Sequence, residues 1–333
     1  MAYVVPGRVL LFMAAWLVAG AGWGSDWGGA FIQFNRKVAE RTLAQWRAEV
    51  QRMESLGIRR VMVQWCAEER LLYFEDPELK ADYPEQYPAL DRLITAVVGT
   101  SCRLVIGLEQ DPNYWMEITG KEQSVSDYFR VRVSRNERLQ QALLAKYGLL
   151  SAWEGVYLAE EADDKSWRRP ERRGVLKEYV RQMCARLHAN DPKRRILQSA
   201  FFRVRTAPEG VAAVFRDVFD GSGLDVLLLQ DGVGVGDPPL DYLRPYYESL
   251  RQGWPQTGPA LWAVVEVFEQ TSAPGSPFKA RPASVTRVLQ QRELASSFVK
   301  ELVIFSYFPY LEAKGGLEAE ALFQGLRAAR SRP

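Results

Sequence analysis

Glutamates near the ends of two apolar runs are the residues of this chain best suited to do chemistry. Glu160 and Glu161 follow Val156-Tyr157-Leu158-Ala159, and Glu266 ends Leu261-Trp262-Ala263-Val264-Val265. Cleaving an acetal needs a proton for the leaving oxygen and a second carboxylate that attacks carbon or activates water. Two facing acids therefore suit a glycosidic bond. Along an extended strand neighbouring side chains point to opposite faces, so Glu160 and Glu161 cannot both enter one site, and one supports the other.

Around these acids stand side chains that a sugar would use. In chain order they are Gln33, Gln64, Trp65, Asp111, Tyr114, Trp115, Tyr157, Glu160, Asp163, Trp167, Gln230, Asp231, Trp262, Glu269 and Tyr307. A pyranose presents apolar C–H faces that lie on aromatic rings, and hydroxyl edges that pair with Gln, Asp and Glu. The plainer reading of either catalytic candidate is an ion pair with an arginine such as Arg203 or Arg281.

Most of these residues lie on, at or just past a short apolar or β-branched run. Such runs span 30–34, 60–65, 103–109, 155–160, 195–201, 225–230, 260–267 and 302–307. Between and after them come helical patterns over 43–55, 87–98, 138–146, 175–189, 211–219, 240–251, 284–300 and 317–329. Gly57 has the place of a C′ residue after the first helix, and Asp191-Pro192 stops the fourth. Strand and helix alternating eight times predict one (β/α)8 barrel over residues 28–333, with working side chains at the C-terminal strand ends. The excess length falls in the loops after strands 2, 3 and 7. An open doubly wound sheet would place a glycine-rich turn after its first strand, where this chain has Gln33-Phe34-Asn35-Arg36.

Other chemistries find little support. With 43 basic and 41 acidic residues interspersed, the chain lacks the one-sided basic surface that nucleic acid requires. A single histidine, His188, speaks against a Ser-His-Asp triad and a histidine zinc site. Asp231-Gly232-Val233-Gly234-Val235-Gly236-Asp237 departs from GxGxxG and has too few acids for a calcium loop, which leaves a flexible rim loop. Carboxylates alone could hold a metal among Glu109, Asp111, Asp231 and Glu269, but the two-acid reading needs neither metal nor organic cofactor. Three cysteines, without CxxC spacing, read as small buried residues. Arg8 ahead of an apolar run to Val18, then Ala19-Gly20-Ala21, reads as a secretory signal over residues 1–21. The expected place is the periplasm or outside the cell, with membrane association only if that segment stays uncleaved.

Taken together the strand ends resemble the bacterial DUF4434 family. The resemblance rests on Gly29-Ala30-Phe31-Ile32-Gln33, Val61-Met62-Val63-Gln64-Trp65, Gly107-Leu108 with Tyr114-Trp115, and Tyr157 through Asp164 with Trp167. It continues through Leu229-Gln230-Asp231-Gly232-Val233-Gly234 and Leu261 through Glu269. It implies a glycoside hydrolase-type barrel and maps the family's Pro-x-Glu-Ile-Asp motif onto Glu161 and Asp163, with Ala159 and Ala162 departing from it. By analogy with retaining barrel glycosidases it makes Glu161 the acid/base and Glu266 the nucleophile, although Glu160 stands where those enzymes usually have asparagine. The implied partner is an oligo- or polysaccharide. The alternative is a non-catalytic glycan-binding barrel with Trp65, Trp115, Trp167 and Trp262 as stacking platforms.

Overall fold

The computed structural model describes residues 26–203, 206–236, 238–273 and 276–330. The signal expected over residues 1–21 lies outside them. Eight parallel strands close a barrel: β1 (Gly29–Ile32), β2 (Arg60–Val63), β3 (Arg103–Gly107), β4 (Trp153–Asp163), β5 (Arg195–Phe201), β6 (Val226–Gln230), β7 (Ala260–Glu266) and β8 (Leu302–Phe305). Gly29 pairs with Val303 to close the ring.

The helices that return the chain are α1 (Leu43–Ser55), α2 (Ala89–Val97), α3 (Glu122–Tyr147), α4 (Pro170–Asn190), α5 (Pro208–Phe219), α6 (Leu243–Gly253), α7 (Val285–Ser296) and α8 (Leu317–Arg330). Their ends follow local chemistry. Thr42 and Gln45 form a capping box on α1, and Gly57 beyond its other end has φ 73°. Proline opens α4 and α5, where its missing N–H costs nothing, and Asp191 caps the end of α4. The added length lies where the sequence placed it. The loops after β2 and β3 form a small four-stranded sheet, and the loop after β7 forms a hairpin.

One helix is much longer than its pattern suggested. The apolar periodicity marks only 138–146, yet α3 runs from Glu122 to Tyr147. Its inner face carries Arg132, Asn136 and Gln140, all buried. Spaced four apart they form one stripe, but their polarity hides it from a hydrophobic reading.

Inside the barrel, odd positions of β4 and even positions of β6 and β7 point to the axis. Phe31, Tyr157, Leu228 and Trp262 belong to this inner cluster. Phe31 meets Tyr157 edge-on at 5.0 Å. Burial of each such large side chain contributes roughly 1.5–3 kcal/mol. Trp262 stands low in the barrel, four residues before Glu266, or about 13 Å beneath it at the usual strand rise. There the Arg60 guanidinium lies 4.8 Å from its ring and donates to Gly28 O at 2.9 Å. Trp262 is therefore a plug in the barrel floor, 4% exposed, and not the sugar platform expected of it.

Candidate active site

β4 positions the first acid. Tyr157 and Ala159 face inward, and Glu161 continues that alternation to the mouth, where its Oε1 accepts from Gln230 Nε2 at 2.6 Å. Glu160 faces the other way and pairs with Arg132 at 2.7 Å. The expectation that only one of the two enters the site holds, and Glu160 is corrected from a sugar ligand to an anchor on α3.

Glu266 stands on the same inward face as Trp262 and Val264 of β7. A barrel with a shear of eight staggers about one residue per strand. The pairing puts Gln230 in register with Phe201, and Phe201 with Asp163. Its amide nevertheless meets Glu161, two residues lower, as that stagger across two strands requires. One strand further, Glu266 comes within about one residue's rise of the same level. Both acids thus face one mouth from β4 and β7.

Their surroundings differ. Glu266 is 5% exposed, and its carboxylate accepts the Gly234 N–H at 2.6 Å. Burial, then the neighbouring Asp231 carboxylate, push its pKa up to about 8. Burial raises Glu161 as well, opposed by the Gln230 amide and the Arg203 guanidinium. Neither plain ion pair forms as suggested: Arg281 reaches Glu269 and Arg203 reaches Asp163.

The floor and walls carry several expected polar residues. Gln33 donates to Gln64 at 2.8 Å, and the Tyr157 hydroxyl, fully buried beneath Glu161, donates to Ser199 at 2.9 Å. Trp115, 38% exposed, stands edge-on to Phe201 at 5.5 Å, with the Arg203 guanidinium 4.8 Å from the Phe201 ring. It is an open aromatic surface beside the mouth. Asp163 binds the Ser166 N–H and hydroxyl and pairs with Arg203, so it shapes the β4 end.

Other expected contacts go elsewhere. Trp167 is sealed against Phe129, with centroids 5.9 Å apart. Tyr307 is buried, and its hydroxyl donates to Glu49 at 2.7 Å. Trp65 is buried and donates to Phe34 O. Tyr114 donates to the carbonyl of Glu161. Asp231 turns outward to accept from Gln291 and from the Val233 N–H, and burial raises its pKa to about 6. Glu269 pairs with Arg281 and Arg287. Asp111 accepts the Asn113 N–H on the rim. Glu109, Asp111, Asp231 and Glu269 do not converge: Glu109 is held by Arg132 and Arg135, and among the described residues no three His, Cys, Asp or Glu side chains form a metal cluster. His188 lies at the far end of α4, 3.0 Å from Asp225.

Several site residues escaped the sequence reading. The loop taken for a flexible rim packs on Glu266: a Cβ on Gly234 would lie 2.7 Å from Glu266 Oε2 and 2.7 Å from Phe268 O. The motif's central glycine, Gly234, is therefore fitted to a carboxylate. Arg287 on α7 donates to the carbonyls of Glu266 and Phe268. Tyr310 stacks on Phe268 at 5.4 Å, and the Glu266 carboxylate adds to the rise that burial gives its pKa. No local pattern marks Arg287 or Tyr310.

The architecture is a closed (β/α)8 barrel. The family model described as "Domain of unknown function (DUF4434)" matches residues 28–314, and the chain belongs to that family. It is 24% identical over 283 residues to "Uncharacterized protein YbcH" of Escherichia coli K12, covering 84% of this chain and 90% of YbcH. Among solved structures it resembles the "putative alpha-L-fucosidase" of Bacteroides thetaiotaomicron, with TM-score 0.74, 15% identity, and coverage of 98% and 99%. A GH18 chitinase from Pseudoalteromonas aurantia follows at TM-score 0.53 and 12% identity, covering 89% of this chain and 99% of its own.

Proposed function

We propose that this chain is an exported glycoside hydrolase that cleaves glycosidic bonds of a bacterial exopolysaccharide or related glycan with Glu161 and Glu266. The observation that carries the reading is the pair itself: two inward carboxyls on β4 and β7, near one level, at a mouth bearing amides and the open ring of Trp115. The solved neighbours described as a fucosidase and a chitinase support it as fold analogies. In the retaining scheme, ionised Glu266 attacks the anomeric carbon while Glu161 gives its proton to the departing oxygen. Glu161 then takes a proton from the water that releases the sugar, so no metal or organic cofactor enters.

A specific observation favours exchanging the two roles. Gln230 and Arg203 stabilise ionised Glu161, whereas burial and Asp231 favour the proton on Glu266. Either assignment works with one proton on the pair. kcat/KM is therefore expected to be bell-shaped, falling as pH rises through about 8 and the last proton leaves Glu266. A rate still rising at pH 9 would contradict this.

The direct test is reducing-end release from a panel of bacterial exopolysaccharides by the purified protein, with the chain also sought in periplasmic and culture fractions. Release from one glycan supports the reading. Binding without release turns it to the glycan-binding barrel, which has already lost Trp65, Trp167 and Trp262 as platforms because all three are buried.

A further inference from the structure

The end of β4 is irregular where Glu161 sits. Leu158 pairs with Gln198 and Ala162 with Ala200 of β5, so Ala159, Glu160 and Glu161 stand opposite Ser199 alone. A bulge of this kind re-aims side chains and removes the extra residues from the ladder. Two of the carbonyls here meet side chains from different elements. The carbonyl of Glu160 accepts from Gln198 Nε2, and that of Glu161 accepts from the Tyr114 hydroxyl. The Glu160 carboxylate is tied to Arg132 of α3, which also holds Glu109 at 2.7 Å beyond the end of β3.

We propose that Tyr114 and Glu160 are positioning residues that aim Glu161. Tyr114 fixes its carbonyl from the rim, and the Glu160–Arg132 pair pins the outer side of the bulge. The next side chain is thereby turned toward Gln230. This gives a task to an acid that stands where related barrels carry another residue, and it explains a buried ion pair directly behind the site. The proposal rests on the glycosidase reading for its kinetic consequence and on geometry alone for its structural one.

The test uses Tyr114→Phe, which removes one oxygen, and Glu160→Gln, which keeps shape and removes charge. Crystal structures of both are compared with the parent. Glu161 is expected to leave hydrogen-bond distance of Gln230 Nε2 in at least one variant. A carboxylate still on Gln230 in both overturns the proposal, whether or not the chain turns over any glycan. On a glycan the parent hydrolyses, kcat is expected to fall about tenfold or more, with KM within about twofold and the acid limb of the pH profile displaced. Unchanged kcat and limb in both folded variants also overturn it. Absence of turnover by the parent would count against the glycosidase reading alone, since the crystallographic comparison still decides the aiming role.

Discussion

Glu161→Gln and Glu266→Gln are each expected to reduce turnover of the natural glycan by roughly 10²–10⁴-fold or more, the range of general acid–base catalysis, while leaving the barrel folded. Glutamine fits both places: at Glu161 it still meets Gln230, and at Glu266 its carbonyl oxygen still accepts the Gly234 N–H. An aryl glycoside whose leaving group needs no proton separates the roles. If Glu161 is the acid, its glutamine variant still releases the aryl alcohol and the Glu266 variant does not. The reverse pattern makes Glu266 the acid, as the raised pKa of that buried carboxyl favours. Turnover of the natural glycan unaffected by either substitution would remove both residues from the mechanism.

Gly107→Ala is expected to cause the largest loss of stability of any small substitution near the site. A Cβ there would lie 2.0 Å from Gln64 O and 2.6 Å from Val63 O. Both are backbone atoms, so no rotamer change relieves the overlap. Cys66 N–H donates to Gly107 O at 2.8 Å, which pins the two strands together on the same segment. Overpacking of this kind costs roughly 3 kcal/mol or more, enough to lower Tm by several degrees in a chain of this size. Gly174→Ala is the control, because its Cβ meets nothing within 4 Å and it lies within α4. Alanine in a helix gains about 0.5–1 kcal/mol over glycine. Thermal melts that rank Gly107→Ala at or above the parent would contradict the clash.

The candidate acids were legible because strand periodicity is local. Once β4 and β7 are recognised, Glu160 and Glu161 must point to opposite faces, and Trp262, Val264 and Glu266 must share one. The same logic could not say how high a side chain stands along the barrel axis. Trp262 and Glu266 have the same parity, yet one plugs the floor and the other reaches the mouth. Nor does an aromatic near a strand end announce its neighbours: Trp167 and Tyr307 are packed between the barrel and its helices, while Trp115 is left open.

The sequence by itself determined the eight alternations and the closed parallel sheet, because each follows from propensity and period within a few residues, and it left the choice between Glu160 and Glu161 to the family resemblance. Only the tertiary structure decided what surrounds the acids. It laid Gly234 on Glu266, brought Arg287 from α7 beneath the same strand end, and buried Arg132, Asn136 and Gln140 along α3. Those contacts join residues tens of positions apart. Their polarity also runs against the hydrophobic pattern that marks a core, because a buried charge is acceptable only where a distant partner meets it.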